Sequence, residues 1–181
     1  PILVPALAAA PEIARAAAGL GGDCDVTLTA TATGLDADVR PRRRAEARRL
    51  VPLGERFDLA RLALDGEMIW QSRVPAVRMG RAVVPLPTAG FLQATAAAEE
   101  ALAGLVLPSL AKARHVLDLF CGVGPFALRI AETAKVTAVD ADGPSIAALR
   151  AAANTTQGLK PVETLARDLF RNPHAPAELG R

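Results

Sequence analysis

The chain has 181 residues, room for one domain or two small ones, and 51% of them are hydrophobic, a figure inflated by alanine, which buries little area per residue. Aromatics make up 3% and tyrosine is absent, so base-stacking platforms must be few, and a net charge of +2 does not by itself mark a nucleic-acid protein. Two cysteines exclude a disulfide framework and a four-thiolate metal site, and no uncharged apolar run is long enough to span a bilayer.

The opening PILVPALAAAPEIARAAAGL is like the apolar region of a secretion signal, but no basic segment precedes it and Pro5, Pro11 and Glu12 interrupt it. It begins without methionine and reads as an internal segment of a cytoplasmic protein. Residues 11–20 predict a short helix, with Pro11 in its first turn and Gly21–Gly22 stopping it. In DVTLTATATGLDADV, Val26, Leu28 and Ala30 alternate with threonines and Gly34 interrupts the run, the pattern of a hairpin. The arginine-rich stretch that follows predicts one or two helical turns, then a helix from about Pro52 to Arg61. RLALD and EMIWQSR flank Gly66 as a second hairpin, and Pro75 to Pro87 holds a further strand pair around Gly80. Residues 1–88 therefore read as a small α+β subdomain with an antiparallel sheet.

Character changes near Gly90. Residues 91–107 predict an alanine-rich helix ended by Pro108, and then β (115–120), α (125–134), β (135–140), α (144–157) and β (162–166) alternate. That order implies a parallel sheet with right-handed crossovers. The fold class expected is α/β: a partial Rossmann-like sheet over 89–181 preceded by the small α+β subdomain. Three strands are too few for a complete doubly wound sheet, and a fourth is due where the chain stops at Arg181, so 89–181 is expected to be the N-terminal half of a larger domain, with the chain a truncated one.

The densest information lies in HVLDLFCGVGPFALRIAETAKVTAVD, His115 to Asp140. A glycine turn between strand and helix lets a ligand approach the backbone, and an acid ending the next strand can grip ribose hydroxyls. GVGPFA at 122–127 satisfies the dinucleotide pattern, with Asp140 at a fitting distance, which leaves an NAD(P)-dependent oxidoreductase open. Asp118, inside the strand before the turn, would repel a pyrophosphate and suits a sulfonium or ammonium group, which points to S-adenosylmethionine. Asp168, after the third strand, would accept from the adenine amino group or else cap the next turn.

FLQ (Phe91, Leu92, Gln93), then DLFCGVGPF, then the acid after the second strand resemble the S-adenosylmethionine-dependent RNA uracil-C5 methyltransferases, clearly over 89–170 and more loosely over 1–88. The resemblance implies a methyl transfer to a uridine of ribosomal RNA, or of transfer RNA as the less favoured substrate. It implies a cofactor pocket lined by Gln93, Phe120, the loop Gly122 to Pro125 with Gly124, Asp140 and Asp168, with Asp118 near the methionine moiety and Phe91 towards the target base. Relatives often carry a polar residue where Pro125 stands. In this family a cysteine thiolate adds to carbon 6 of uracil, and a general base later removes the proton from carbon 5. Cys121 belongs to the glycine loop and is not that nucleophile. The family's D-P-P-R-like segment, nucleophilic cysteine and base glutamate do not occur in these residues, nor does a four-cysteine iron–sulfur site. The chain is thus expected to bind cofactor without completing a transfer, and no catalytic residue is assigned.

The cluster Arg40, Arg42, Arg43, Arg44, Arg48 and Arg49 is the best RNA-contact candidate, against the plainer reading of a solvated helix face partly compensated by Glu46. Met68 and Trp70 read as core, Cys24 as a buried thiol, and His115 and His174 as too isolated for a metal site. A non-enzymatic RNA-binding module, its Rossmann-like half serving only as scaffold, is the remaining alternative.

Overall fold

The computed structural model describes residues 3–174, in two compact units that divide between Val77 and Arg78. In the first unit, helix α1 (Ala10–Gly21) precedes a hairpin of β1 (Cys24–Thr31) and β2 (Gly34–Pro41). Two short helices, α2 (Ala47–Leu50) and α3 (Pro52–Arg56), lead to β3 (Leu59–Leu64) and β4 (Glu67–Gln71). The strands lie in the order β1-β2-β3-β4. Ile13 and Ala17, one turn apart on α1, meet Ala37, Val39, Leu50, Leu53, Leu59 and Leu62 in a single core.

Two expectations change here. The helix predicted to run to Arg61 ends at Arg56, because Asp58 takes a left-handed φ of 46° and the chain turns into a strand. LARLAL is then a central strand, buried from Leu59 to Ala63; a short continuous apolar run fits a buried strand as well as a helix end. The sheet is also mixed, since β2 and β3 are parallel while β1–β2 and β3–β4 are antiparallel. Arg61 tolerates this burial because Asp36, its register partner on β2, accepts from it at 2.9 and 2.6 Å. Trp70 packs over the face of Gly54, while Met68 is 57% exposed and not core.

The hairpin of β5 (Ala76–Met79) and β6 (Ala82–Pro85) straddles the division, and β6 packs on a helix of the second unit, α6 (Gly143–Thr155). That packing places the division ahead of the change of character read near Gly90. Helix α4 (Ala96–Val106) starts later than the predicted 91, at Thr95, whose hydroxyl accepts from Ala98 N–H at 3.0 Å. Pro108 lies within a further 3₁₀ turn, Leu107–Leu110, rather than ending the segment. Then β7 (His115–Leu119), α5 (Ala127–Ile130), β8 (Lys135–Asp140), α6 and β9 (Val162–Ala166) form a parallel sheet in the order β7-β8-β9. Helix α5 is a single turn, shorter than the predicted 125–134, and the chain runs on past Ile130 in turns to Thr133. Val136, Ala138 and Val139 of β8 and Ile146, Leu149 and Ala152 of α6 are buried. Among the described residues, no helix is long and apolar enough to cross a membrane.

Leu62 is fully buried on the central strand β3. Leu62→Ala is expected to lower unfolding stability by about 2–5 kcal/mol in urea titrations; a loss below about 1 kcal/mol would contradict the placement of β3.

Candidate functional site

Strand β7 carries Asp118 to its C-terminal end, and the chain then turns sharply. Phe120 has φ 58°, Gly122 φ 53° and Gly124 φ 91°. Three left-handed residues within five reverse the chain between strand and helix, and the one at Phe120 costs about 1–2 kcal/mol. The two glycines answer different needs. A Cβ on Gly124 would strike the side chain of Leu149 on α6, whereas a Cβ on Gly122 would meet nothing within 4 Å. Gly122 therefore offers a bare backbone face on open space, the approach a ligand needs.

Asp140, ending β8, holds this turn. Its Oδ2 accepts the Gly122 N–H at 2.8 Å and its Oδ1 the Asp142 N–H at 2.9 Å. Each carboxylate oxygen keeps a further lone pair for an outside donor. Asp142 in turn caps α6, accepting from Ser145 N–H at 2.9 Å.

Asp118 accepts a backbone hydrogen bond from Ala127, yet its Oδ2 is buried with no partner. Burial pushes its pKa up to about 6; the bond from Ala127 opposes the rise and the charge of Asp140 adds to it. At neutral pH this is a half-buried anion with one buried, uncompensated oxygen, a site whose chemistry fits a cationic group and opposes a pyrophosphate.

Phe120, 58% exposed, meets Phe170 with ring centroids 5.3 Å apart and the rings tilted by 48°. Asp168 caps the turn after β9: its Oδ1 accepts from the N–H groups of Phe170 and Arg171 at 3.0 and 3.1 Å. Asp118, Phe120, Gly122, Gly124, Pro125 and Asp140 thus share the C-terminal ends of β7 and β8, and the Phe120–Phe170 contact ties the segment after β9 to them. Gln93 and Phe91 are exposed in the segment before α4, and no hydrogen bond joins Gln93 to the turn. Cys121 is buried, its thiol pushed up to about 12, first by burial and then by Asp118 and Asp140. The thiol of Cys24 is raised too, first by burial and then by Asp23 and Asp25. Among the described residues, no group of three or more His, Cys, Asp or Glu side chains could hold a metal ion.

Sequence reasoning missed Arg129, whose buried guanidinium bonds Glu99, Glu100 and the Pro125 carbonyl, and it missed Phe170. A lone arginine amid Ala127, Leu128 and Ile130 was the available signal for the first.

The geometry is that of a three-stranded, parallel, Rossmann-like sheet with a glycine turn at its strand ends. No protein-family model matches the chain. It is 52% identical over 134 residues to an uncharacterized RNA methyltransferase of Brucella suis biovar 1, covering 74% of this chain and 32% of that protein. It is 50% identical over 127 residues to an uncharacterized RNA methyltransferase of Rhizobium meliloti, covering 70% and 30%. The chain thus spans about a third of the length of these relatives. In fold it is similar to the tRNA (uracil-54, C5)-methyltransferase of Pyrococcus abyssi, solved in complex with S-adenosyl-L-homocysteine, with a TM-score of 0.62 at 15% identity over 77% of this chain and 38% of that one.

The raised pKa of Asp118 has a definite sign. Its folded value of about 6 lies above the ordinary 3.8, so the fold favours the neutral carboxyl. Its contribution to stability is full below about pH 4 and is lost as pH rises through about 6, a change of roughly 2–3 kcal/mol. Asp118→Asn, which removes the titration, is expected to gain stability over the wild type by that amount between about pH 4 and pH 8 in urea unfolding. A difference that does not move with pH would contradict the assignment.

Proposed function

We propose that the second unit is the cofactor-binding part of an S-adenosylmethionine-dependent RNA methyltransferase that acts on carbon 5 of a uridine, working in the cytoplasm, with ribosomal RNA the first substrate to test. The observation that carries this reading is the buried, unpartnered oxygen of Asp118 beside a glycine turn that Asp140 holds. The relatives named RNA methyltransferases support the class, and the name of the similar Pyrococcus abyssi structure supports the uracil-C5 reaction.

Each residue then has a role. Gly122 presents its backbone to the adenosine, and the free lone pairs of Asp140 accept the ribose hydroxyls. Asp118 faces the cationic methionine end. Phe120 and Phe170 form an apolar wall, and Asp168 accepts the adenine amino group with the oxygen capacity its turn leaves over. Gln93 and the loop at Pro125 border the pocket, with Phe91 on the side of the base. The bound cofactor supplies an electrophilic methyl group on sulfur. Neither cysteine is poised as a nucleophile, since both thiols are held above their ordinary pKa, and this chain by itself is expected to incorporate no methyl group into RNA. An NAD(P) reading is disfavoured because Asp118 would set a half-buried anion, one oxygen of it buried and unpartnered, near the pyrophosphate.

The first unit is the RNA-facing part in this proposal. It carries ten arginines against ten carboxylates, yet six of the arginines fall between Arg40 and Arg49 with Glu46 as the sole acid there. Arg40, Arg42 and Arg48 pair with Asp38, Asp23 and Glu46, while Arg43, Arg44 and Arg49 are exposed with no carboxylate partner among the described residues. Such a local excess on a neutral unit suits a phosphate backbone.

Calorimetry is expected to give heat with S-adenosylhomocysteine and none with NADH, and Asp140→Ala to weaken the binding at least about tenfold. Heat with NADH alone would overturn the reading. For RNA, replacing Arg43, Arg44 and Arg49 by alanine is expected to reduce the slope of log affinity against log salt by about 2 on single strands. An unchanged slope would remove the cluster from the interface.

A further inference from the structure

Arg129 lies on the buried face of α5 and is 7% exposed. Its Nη1 donates to Glu99 Oε1 at 2.8 Å and to the Pro125 carbonyl at 2.6 Å, and its Nη2 donates to Glu100 Oε2 at 2.8 Å. Glu99 is as buried as Arg129, whereas Glu100 reaches solvent. A Cβ at Gly80, in the turn between β5 and β6, would lie 3.1 Å from Arg129 Cγ, so the guanidinium stem is walled in from that side as well. One cation therefore joins helix α4, helix α5 and a carbonyl of the glycine turn.

Stability alone does not account for this arrangement. A buried ion pair is commonly no better for stability than apolar side chains of the same volume. What an apolar substitute cannot do is hold a carbonyl. The glycines at 122 and 124 give the turn's backbone several accessible paths, and the Pro125 carbonyl lies just after them, two residues before α5 begins.

We propose that Arg129 is a positioning residue for the glycine turn. Its charge-assisted bond to the Pro125 carbonyl sets the path of residues 122–126, and Glu99 and Glu100 fix the guanidinium from α4. This inference rests on the reading of the turn as the cofactor-binding element. Arg129 touches no ligand itself; it acts through the backbone it holds.

The test pairs Arg129→Met with Glu99→Leu, which removes both buried charges together and leaves Glu100 to water. The double variant is expected to keep the urea midpoint of the wild type while its affinity for S-adenosylhomocysteine falls at least about tenfold, the worth of one hydrogen bond to a charged group. An affinity within about twofold of the wild type at an intact midpoint would overturn the proposal and leave the network a structural one. A second measurement needs no ligand and covers the case of a double variant that does not fold. In Arg129→Lys, amide hydrogen exchange is expected to quicken at Gly122 and Gly124 and to stay unchanged at Val136 to Val139 of β8. Exchange that is unaltered in the turn, or quickened equally in β8, would overturn it. Failure of the wild type to bind S-adenosylhomocysteine would strike the cofactor reading, while the exchange experiment would still judge the role of Arg129 in holding the turn.

Discussion

The carboxylate of Asp140 is the constraint on which the site depends. It stands at the end of β8 and takes the Gly122 N–H from the neighbouring β7 turn and the Asp142 N–H from the start of its own loop. Those two bonds tie together the strand that precedes the turn, the strand beside it and the helix that follows. A turn with three left-handed residues has no regular hydrogen-bond ladder to keep it in place. Backbone bonds from Cys121 N–H to Val139 and from Gly124 N–H to Cys121 hold part of it, and a charged acceptor across the strand ends adds the stronger, charge-assisted kind. The bare face of Gly122 is aimed by this contact.

Two electrostatic arrangements surround that turn, and they act in opposite directions. On one side Asp118 and Asp140 place two carboxylates near one another, and burial raises the affinity of Asp118 for a proton. The folded chain carries an unfavourable charge there at neutral pH, and a cationic ligand would relieve it, so affinity for such a ligand rises as Asp118 ionises. On the other side Arg129 is a buried cation held by two glutamates. Burial alone would lower its pKa, but the bonds from Glu100 and Glu99 outweigh that and hold it above its ordinary value. The turn thus runs between an anion left short of a partner and a cation supplied with several.

Much of the second unit was legible because its signals are local. Strand, glycines, helix and acid follow one another within His115 to Asp140, and the strands fall where alternation places them. What escaped was non-local or ambiguous. The hairpin of RLALD with EMIWQSR was legible, and β3 pairs with β4 around Gly66, but the preceding boundary was not: Leu59 to Arg61, read as a helix end, open the strand. The network of Arg129 joins residues about thirty apart, and no periodicity announces it. Asp168 was readable as a cap or as a ligand for adenine. The structure shows the cap: Oδ1 bonds two backbone N–H groups, and Oδ2 lies 3.5 Å from Arg171 Nε, an exposed ion pair that leaves lone pairs for a further donor.

The central claim is that the ends of β7 and β8 receive S-adenosylmethionine. The most direct measurement is an amide NMR titration of the chain with S-adenosylhomocysteine. The account predicts that the largest shifts fall on Gly122, Gly124 and the residues from Asp140 to Asp142, with the β1–β2 hairpin unmoved. Shifts scattered over both units, or gathered away from the glycine turn, would contradict it.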